Sequence, residues 1–406
     1  MKILVLNAGS SSQKSCLYDI EDGSSTQPLK PLWEAQIDWT HQPGVAEIKI
    51  ETAAGQRKQA IPFKERLPVI QTLLNSLWSG ETAVLDSPDA IEAVGHRVVH
   101  GGQDYHDSVR ITPEVKAAIR RLSALAPVHN PINLEGIEAI ETILGPEIPQ
   151  VAVFDTAFHA QMPDKAAIYP IPYELSQKGI RRYGFHGTSH RYCAQRTAEI
   201  LQRPLSELRI VNCHLGNGGS LAAIQNGRSI STTMGFTPLD GLMMGTRAGS
   251  IDPSILIYLI RQEGYDADKL DYMLNQASGL LGVSGVSNDL RQIDQAIAAG
   301  NARAKLALEI YLHDLRAFIG AMIATLGGLD ALVFTAGVGE NAPHIRAAAC
   351  EAFAYMGLKL DPAKNEARPR DQVISTSDST VPVLVVHTQE DWAIACDCWQ
   401  VVAGGK

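Results

Sequence analysis

Positive charge is not in excess in this chain: 35 Lys and Arg stand against 44 Asp and Glu, a formal net charge of −9. That balance excludes a broad nucleic-acid-binding or anionic-membrane surface, but leaves room for a local basic site that takes an anionic substrate. Cysteine is sparse too. The six (16, 193, 213, 350, 396 and 398) are scattered, with no zinc-finger or Cys-x-x-Cys spacing. The one close pair, Cys396-Asp397-Cys398, reads as two reduced thiols on a terminal helix. Long apolar runs are also missing. The longest, Ala317 to Leu329, falls short of the ~18–20 residues of a membrane span and reads as a buried helix. The first apolar run is too short for a signal peptide, so the expected location is cytoplasmic. Neither a low-complexity linker nor the Walker A spacing Gly-x4-Gly-Lys-Ser/Thr is present.

What is there is an ordinary globular composition, 45% hydrophobic and 19% charged over 406 residues, enough for two or three domains. The first fourteen residues organise the rest. Ile3 to Leu6 is an apolar run fit for a buried strand, and it stops at Asn7-Ala8-Gly9-Ser10-Ser11-Ser12. Lys14 follows, then a second strand from Cys16. A hairpin tip with Gly, three hydroxyls and a lysine offers N–H and O–H donors and one positive charge to an anion, a set suited to a polyphosphate. The same plan returns over Ile210 to Ile224. A third tip, Phe334 to Asn341, follows the apolar run Ala331 to Phe334. Three such junctions predict a duplicated nucleotide-binding core with a phosphate loop in each half.

Edge strands are expected between Glu21 and Arg57, and a helix over Ile61 to Trp78. Thr112-Pro113-Glu114 supplies an N-cap, a first-turn proline and a dipole-matched acid, so a helix runs to about Leu125. Asn130-Pro131 opens another, which Gly145 closes. Pro149 to Phe154 is a strand that delivers Asp155. Thr188 to Leu201 is a helix, Asp252-Pro253 caps the next, and Asp266 to Leu326 is almost wholly helical, with its longest segment starting near Asn301. Val381 to Val386 is a strand, and a helix from about Asp391 ends the chain. This alternation predicts an α/β protein of two similar halves around a cleft: residues 1–155, with the 389–406 helix packing back on them, and residues 156–388.

Several residues are placed for chemistry. His96-Arg97 ends a strand beside Gly101-Gly102, and Arg247 lies in the largely apolar loop Met234 to Gly249. Two such arginines suit a carboxylate or a phosphoryl group held through forked donors; the plainer reading is two surface arginines. Asp155 stands where a buried strand meets a loop, a position for catalysis in α/β folds or for a turn cap. His186 and His190 are four apart, but Gly187 intervenes and no third ligand is evident, so zinc is set aside. In its Gly-flanked loop, His186 suits donation to a transferring phosphoryl group. His129, displayed between Pro127 and Pro131, fits a packed or capping role as well as a chemical one. The run Thr388-Gln389-Glu390-Asp391 is either a helix-capping cluster or a source of magnesium ligands.

Together these residues closely resemble the acetate and propionate kinase family, essentially end to end. The matching strings are LVLNAGSSSQK, GHRVVHGG, LAPVHNP, FDTAFHAQMP, YGFHGTSH, HLGNGGS, MGFTPLDGLMMGTR and FTAGVGEN. The resemblance implies the duplicated two-domain fold of actin, Hsp70 and the sugar kinases, with the active site in the interdomain cleft, and a homodimer. It implies reversible transfer from ATP to acetate, giving ADP and acetyl phosphate, with Mg²⁺ or Mn²⁺. By motif, Asn7 and Glu390 match metal-associated positions and Lys14 an ATP-contacting one. Arg97 and Arg247 match substrate and transition-state arginines, Asp155 the catalytic aspartate, His186 the transition-state stabiliser, and His129 a further active-site motif. Val99, Val128, Phe185 and Pro238 match the acyl pocket. Nucleotide-binding positions are His214, Leu215, Gly216, Asn217 and Gly218; Asp289, Leu290 and Arg291; and Gly337, Val338, Gly339, Glu340 and Asn341.

The chemistry agrees with the resemblance. A carboxylic acid with a pKa near ~4 is already ionised at neutral pH, so the nucleophile needs no general base. Its difficulty is approaching an anionic γ-phosphate, which arginines and a metal relieve. Asp155 is therefore expected to orient Arg97 or Arg247 rather than accept a proton. Three departures from the family pattern stand out: Ser250 for a usual Asp, Gln389 and Asp391 around Glu390, and Val128 for a usual Leu. The last trims one methylene, ~1 kcal/mol, so propionate is expected to compete with acetate. The rival readings are a propionate or butyrate kinase and an Hsp70- or actin-like ATPase.

Overall fold

The structure, a computed structural model, describes residues 1–9, 12–21, 27–42 and 44–404. Ser10 and Ser11 of the expected phosphate tip lie outside these. The chain divides into two units, Met1–Phe158 with Gln389–Lys406, and His159–Thr388.

The first unit is built on an eight-stranded sheet: β1 (Lys2–Ala8), β2 (Ser12–Asp19), β3 (Trp33–Gln42), β4 (Val45–Thr52), β5 (Gly55–Pro62), β6 (Ala93–Val98), β7 (Val109–Arg110) and β8 (Gln150–Phe154), in the order β5-β4-β3-β2-β1-β6-β8-β7. Ile3 to Leu6 are at most 1% exposed. β1 is a central strand with the Asn130–Leu144 helix and the C-terminal Glu390–Ala403 helix packed against it, so its side chains are apolar without alternation. Farther out, Trp33, Ala35 and Ile37 are buried while their neighbours face outward, the two-residue period of a one-sided sheet. The C-terminal helix comes very close to β6: a β-carbon on Gly95 would stand 2.8 Å from Ile394 Cγ2.

The second unit carries β9 (Arg209–Leu215), β10 (Gly219–Gln225), β11 (Arg228–Thr232), β12 (Ala331–Thr335), β13 (Gln372–Val373) and β14 (Val383–Val385), in the order β11-β10-β9-β12-β14-β13. Strand for strand this repeats β3-β2-β1-β6-β8-β7, with the same parallel and antiparallel pairings. The fold is thus an internally duplicated α/β architecture, to which the first unit adds β4 and β5.

Helix caps follow the residues that predict them. Asp252 accepts from Ser254 N at 2.8 Å and Asn301 from Ala304 N at 3.0 Å, opening the helices Pro253–Gln262 and Ala302–Leu326. The helix expected over Ile61 to Trp78 is shorter, Arg66–Asn75, because Ile61 and Pro62 pair with Ala46 and Val45 to finish β5. The third expected tip is not a loop either, for Ala336–Asn341 is a short helix entered at Ala336 with φ 65°. None of the six cysteines is in a disulfide. Among the described residues no helix is long and apolar enough to cross a membrane.

Candidate active site

In the first unit the parallel strands β1, β6 and β8 end side by side, and each delivers one polar group at its carboxyl end. Asn7 comes from β1, Arg97 from β6 and Asp155 from just past β8, where its N–H donates to the Val98 carbonyl at 3.0 Å. Asp155 is 2% exposed. Both its carboxylate oxygens accept from Arg97, at 3.0 and 3.1 Å from Nε and 2.6 Å from Nη2. Burial works against the Arg97 charge, but Asp155 outweighs it and the guanidinium pKa is raised. Arg97 Nη1 also reaches Asn7 Oδ1 at 3.4 Å, and Asn7 Nδ2 donates to Asp391 Oδ1 at 2.8 Å.

Glu390 and Asp391 form the first turn of the C-terminal helix, where its dipole favours anions. Burial nevertheless pushes both carboxyls above their ordinary pKa. Arg97 draws Glu390 back, and Lys14 and the Asn7 amide draw Asp391 back, without cancelling the rise. Lys14 stands opposite Asn7 in the β1–β2 pairing. A pair of carboxylates held at this cost, beside an amide, is an oxygen donor set for a hard divalent cation. His129 precedes the Asn130–Leu144 helix as its N-cap residue, Val128 is 53% exposed and Val99 is buried.

In the second unit the β9–β10 tip is tight, with Gly216 N donating to Gly218 O at 2.9 Å. It borders a cavity of about 730 Å³, within the range of small-molecule sites. Gly216 and Asn217 line it from the tip, Asp289, Leu290 and Arg291 from one helix start, and Gly337, Val338 and Asn341 from the short helix. His214, Leu215, Gly218, Gly339 and Glu340 do not line it. The Glu340 carboxylate is taken up locally: Oε1 accepts from Ala336 N at 3.1 Å, and Oε2 lies 2.5 Å from His387 Nδ1. Asp289 caps its helix and grips the Arg291 guanidinium, which lowers the Asp289 pKa.

Arg247 bonds to the Pro238 carbonyl at 3.3 Å, and a β-carbon on Gly218 would stand 3.3 Å from its Nη1. His186 is the N-cap of the Gly187–Leu201 helix, in the left-handed region at φ 55°, a conformation that disfavours a non-glycine residue. Its ring stacks on His214 at 4.2 Å between centroids. Phe185 is 1% exposed, and its carbonyl lies 3.0 Å from His159 Nε2.

For some participants the sequence does not reveal the contacts they make. Asn130 and Asn133 look like ordinary helix residues, yet both are buried. Asn130 bonds the N–H and carbonyl of His100, while Asn133 accepts from Val99 N and donates to the Ala8 carbonyl. They tie the helix to the β6 loop and the β1 end. Asp391, which the sequence marks as part of an acidic cluster and as a departure from the family pattern, is a partner of Asn7. Ser250, which stands where the family pattern has an acid, donates to Asp240 Oδ1 at 2.6 Å, where a second carboxylate would repel. Gly245 and Tyr311 line the cavity from distant segments.

Comparison with known proteins places the chain in a family. A family model described as the Acetokinase family matches residues 2–396. The chain is 64% identical to an acetate kinase from a Cyanothece species, over 99% of this chain and 98% of that one. Among solved structures, Porphyromonas gingivalis acetate kinase superposes with a TM-score of 0.89 at 42% identity, covering 99% of both chains. A propionate kinase from Francisella tularensis superposes equally well, TM-score 0.89, at 39% identity over 99% of this chain and 100% of that one.

Proposed function

The chain belongs to the acetokinase family, and from that premise we propose how its own residues carry the reaction. It is a phosphotransferase acting on acetate, with ATP as the donor and acetyl phosphate and ADP as products. A propionate or butyrate kinase and an Hsp70- or actin-like ATPase are not favoured, because whole-chain relatives at 57–64% identity are acetate kinases.

The observation that carries the assignment of roles is Arg97, a cation fixed at the ends of the parallel strands by both oxygens of a buried aspartate. Arg97 binds the acetate carboxylate, which arrives ionised and needs no base. Asp155 orients Arg97. Arg247 and His186 meet the phosphoryl group, one with charge and the other with an N–H donor that strengthens as charge moves in the transition state. The 730 Å³ cavity takes the nucleotide. Val99, Val128, Phe185 and Pro238 are assigned to acyl selectivity, Lys14 to a contact with ATP, and His129 to a further active-site role.

Glu390, Asp391 and Asn7 would hold Mg²⁺, or Mn²⁺ in its place; two carboxylates and an amide fit a hard cation that keeps waters and nucleotide oxygens as its other ligands. When bound, the ion neutralises phosphate charge. We also assign a second copy of the chain as partner, seated on the Pro253–Gln262 helix.

The test is ATP-dependent formation of acyl phosphate, trapped as hydroxamate, with acetate, propionate and butyrate side by side. Acetate in clear preference is expected. ATP hydrolysis without trapped product from any acid would overturn the reading, and a preference for propionate would overturn the choice of acid.

A further inference from the structure

The Gly187–Leu201 helix lies over β9, and the polar side chains it covers form one line of hydrogen bonds. Asn212 and His214 share a face of β9, two residues apart, and Ser220 stands opposite His214 on β10. Asn212 Nδ2 is 2.8 Å from His190 Nδ1, His190 Nε2 is 2.8 Å from Ser220 Oγ, and Ser220 Oγ is 2.9 Å from His186 Nδ1. Asn212, His190 and Ser220 are all 0% exposed, so bulk water does not compete for these bonds. Burial, with His159 and His214 close by, holds the His190 pKa well below its ordinary value. Its ring is neutral and carries one proton.

The Asn212 end sets the direction of every bond. An amide NH₂ only donates, so His190 Nδ1 accepts and the single proton of that ring is on Nε2. His190 Nε2–H donates to Ser220 Oγ, whose own hydroxyl proton then turns to His186 Nδ1. Because that nitrogen accepts, a neutral His186 carries its proton on Nε2. The reverse orientation of Asn212 would strand two amide donors in the interior. The observed one gives the amide a partner in His190 Nδ1 and leaves its Oδ1 without one. His186 Nε2 faces the β9–β10 tip, since a β-carbon on Gly218 would stand 3.9 Å from it and 3.3 Å from Arg247 Nη1.

We propose that Asn212, His190 and Ser220 are positioning residues that lock His186 in its Nε2–H tautomer, so that the neutral ring donates to the phosphoryl group. The proposal rests on the donor role given to His186 above and extends it to three buried residues.

The test uses the wild-type full chain, labelled with nitrogen-15 at histidine and read by two-bond nitrogen–proton correlation NMR near neutral pH, with His186 assigned from His186→Gln. Expected is protonated Nε2 and bare Nδ1 in both His186 and His190. His186 protonated on Nδ1, or averaging between tautomers, overturns the proposal. Ser220→Ala supplies the kinetic arm: His186 begins to average, and kcat falls about tenfold while KM for ATP and acetate stays within about twofold. A folded Ser220→Ala enzyme with unchanged kcat, or with KM rising in step with the loss, also overturns it. Wild-type kcat in His186→Gln would remove the donor role itself and the proposal with it, and the wild-type spectrum tells the two failures apart.

Discussion

Asp155 holds Arg97 from two sides at once, Nε between its carboxylate oxygens and Nη2 on one of them, so the guanidinium plane is fixed as well as its charge. An amide at position 155 keeps the size but offers one acceptor oxygen in place of two. Glu390 and Asp391 still act on the Arg97 charge, so the cation is not left buried alone. Asp155→Asn is therefore expected to keep the fold and to lower kcat by about 30- to 1,000-fold, roughly 2–4 kcal/mol of transition-state stabilisation. Circular dichroism and steady-state kinetics check both halves. Near-normal turnover would show that Arg97 needs no orienting partner.

His96, next door on β6, has the opposite electrostatics. It is 2% exposed, bonds Gln150 Oε1 at 2.7 Å, and burial lowers its pKa to about 4. In the unfolded chain the value is ~6.5. A depressed folded pKa means the stabilisation is fully present above ~6.5 and is lost as pH falls through about 4. Lowering it from ~6.5 to about 4 corresponds to about 3.5 kcal/mol. His96→Asn should therefore differ from wild type more at pH 7.5 than near pH 4 in urea unfolding. A difference that does not change with pH would contradict a buried neutral ring.

For the metal, both adjacent carboxylates are expected to contribute. Glu390→Gln and Asp391→Asn each remove one charge from the set around Asn7, and each should raise the apparent Mg²⁺ requirement by about tenfold or more. KM for acetate should move less, because Arg97 keeps Asp155. Asp391→Glu should restore most of the lost affinity. Titration calorimetry with Mg²⁺ and ADP reads this without turnover. Equal Mg²⁺ affinity in wild type and Glu390→Gln would remove Glu390 from the site.

Much of this was legible in the sequence because it rests on local chemistry. Ile3 to Leu6 has to be a buried strand, and small residues past its end have to be a tip. The recurrence of that plan at Ile210 signals the duplication that the two sheet orders display. Arg97 and Asp155 stand out because a charged group at the end of an apolar run needs a reason. Asn130 and Asn133 gave no such sign, since an asparagine in a helix is usually solvated; the close approach of His100, Val99 and Ala8 makes them structural. The Ile61 start failed for a related reason: pairing with β4 decides the end of β5, and no local propensity reports that. Gly245 and Tyr311 reach the cavity from segments far apart in the chain, which periodicity does not reveal.

The Pro253–Gln262 helix buries no residue within its own chain, although it is rich in isoleucine. Ile255, Ile257, Tyr258 and Ile260 are 44–57% exposed, and Tyr272 on the following helix is 59% exposed. So many exposed large apolar side chains on one helix are costly in water and mark a contact face. A second copy of the chain is the partner proposed, because one helix presenting its own apolar face satisfies the self-complementarity of a two-fold dimer. Light scattering after size exclusion should give about twice 43.9 kDa for wild type. Ile257→Asp combined with Ile260→Asp places two like charges on that face and should give the monomer mass with the fold retained. A wild-type mass of 43.9 kDa at micromolar concentration would overturn the dimer, and an undisturbed dimer in the double variant would put the partner surface elsewhere.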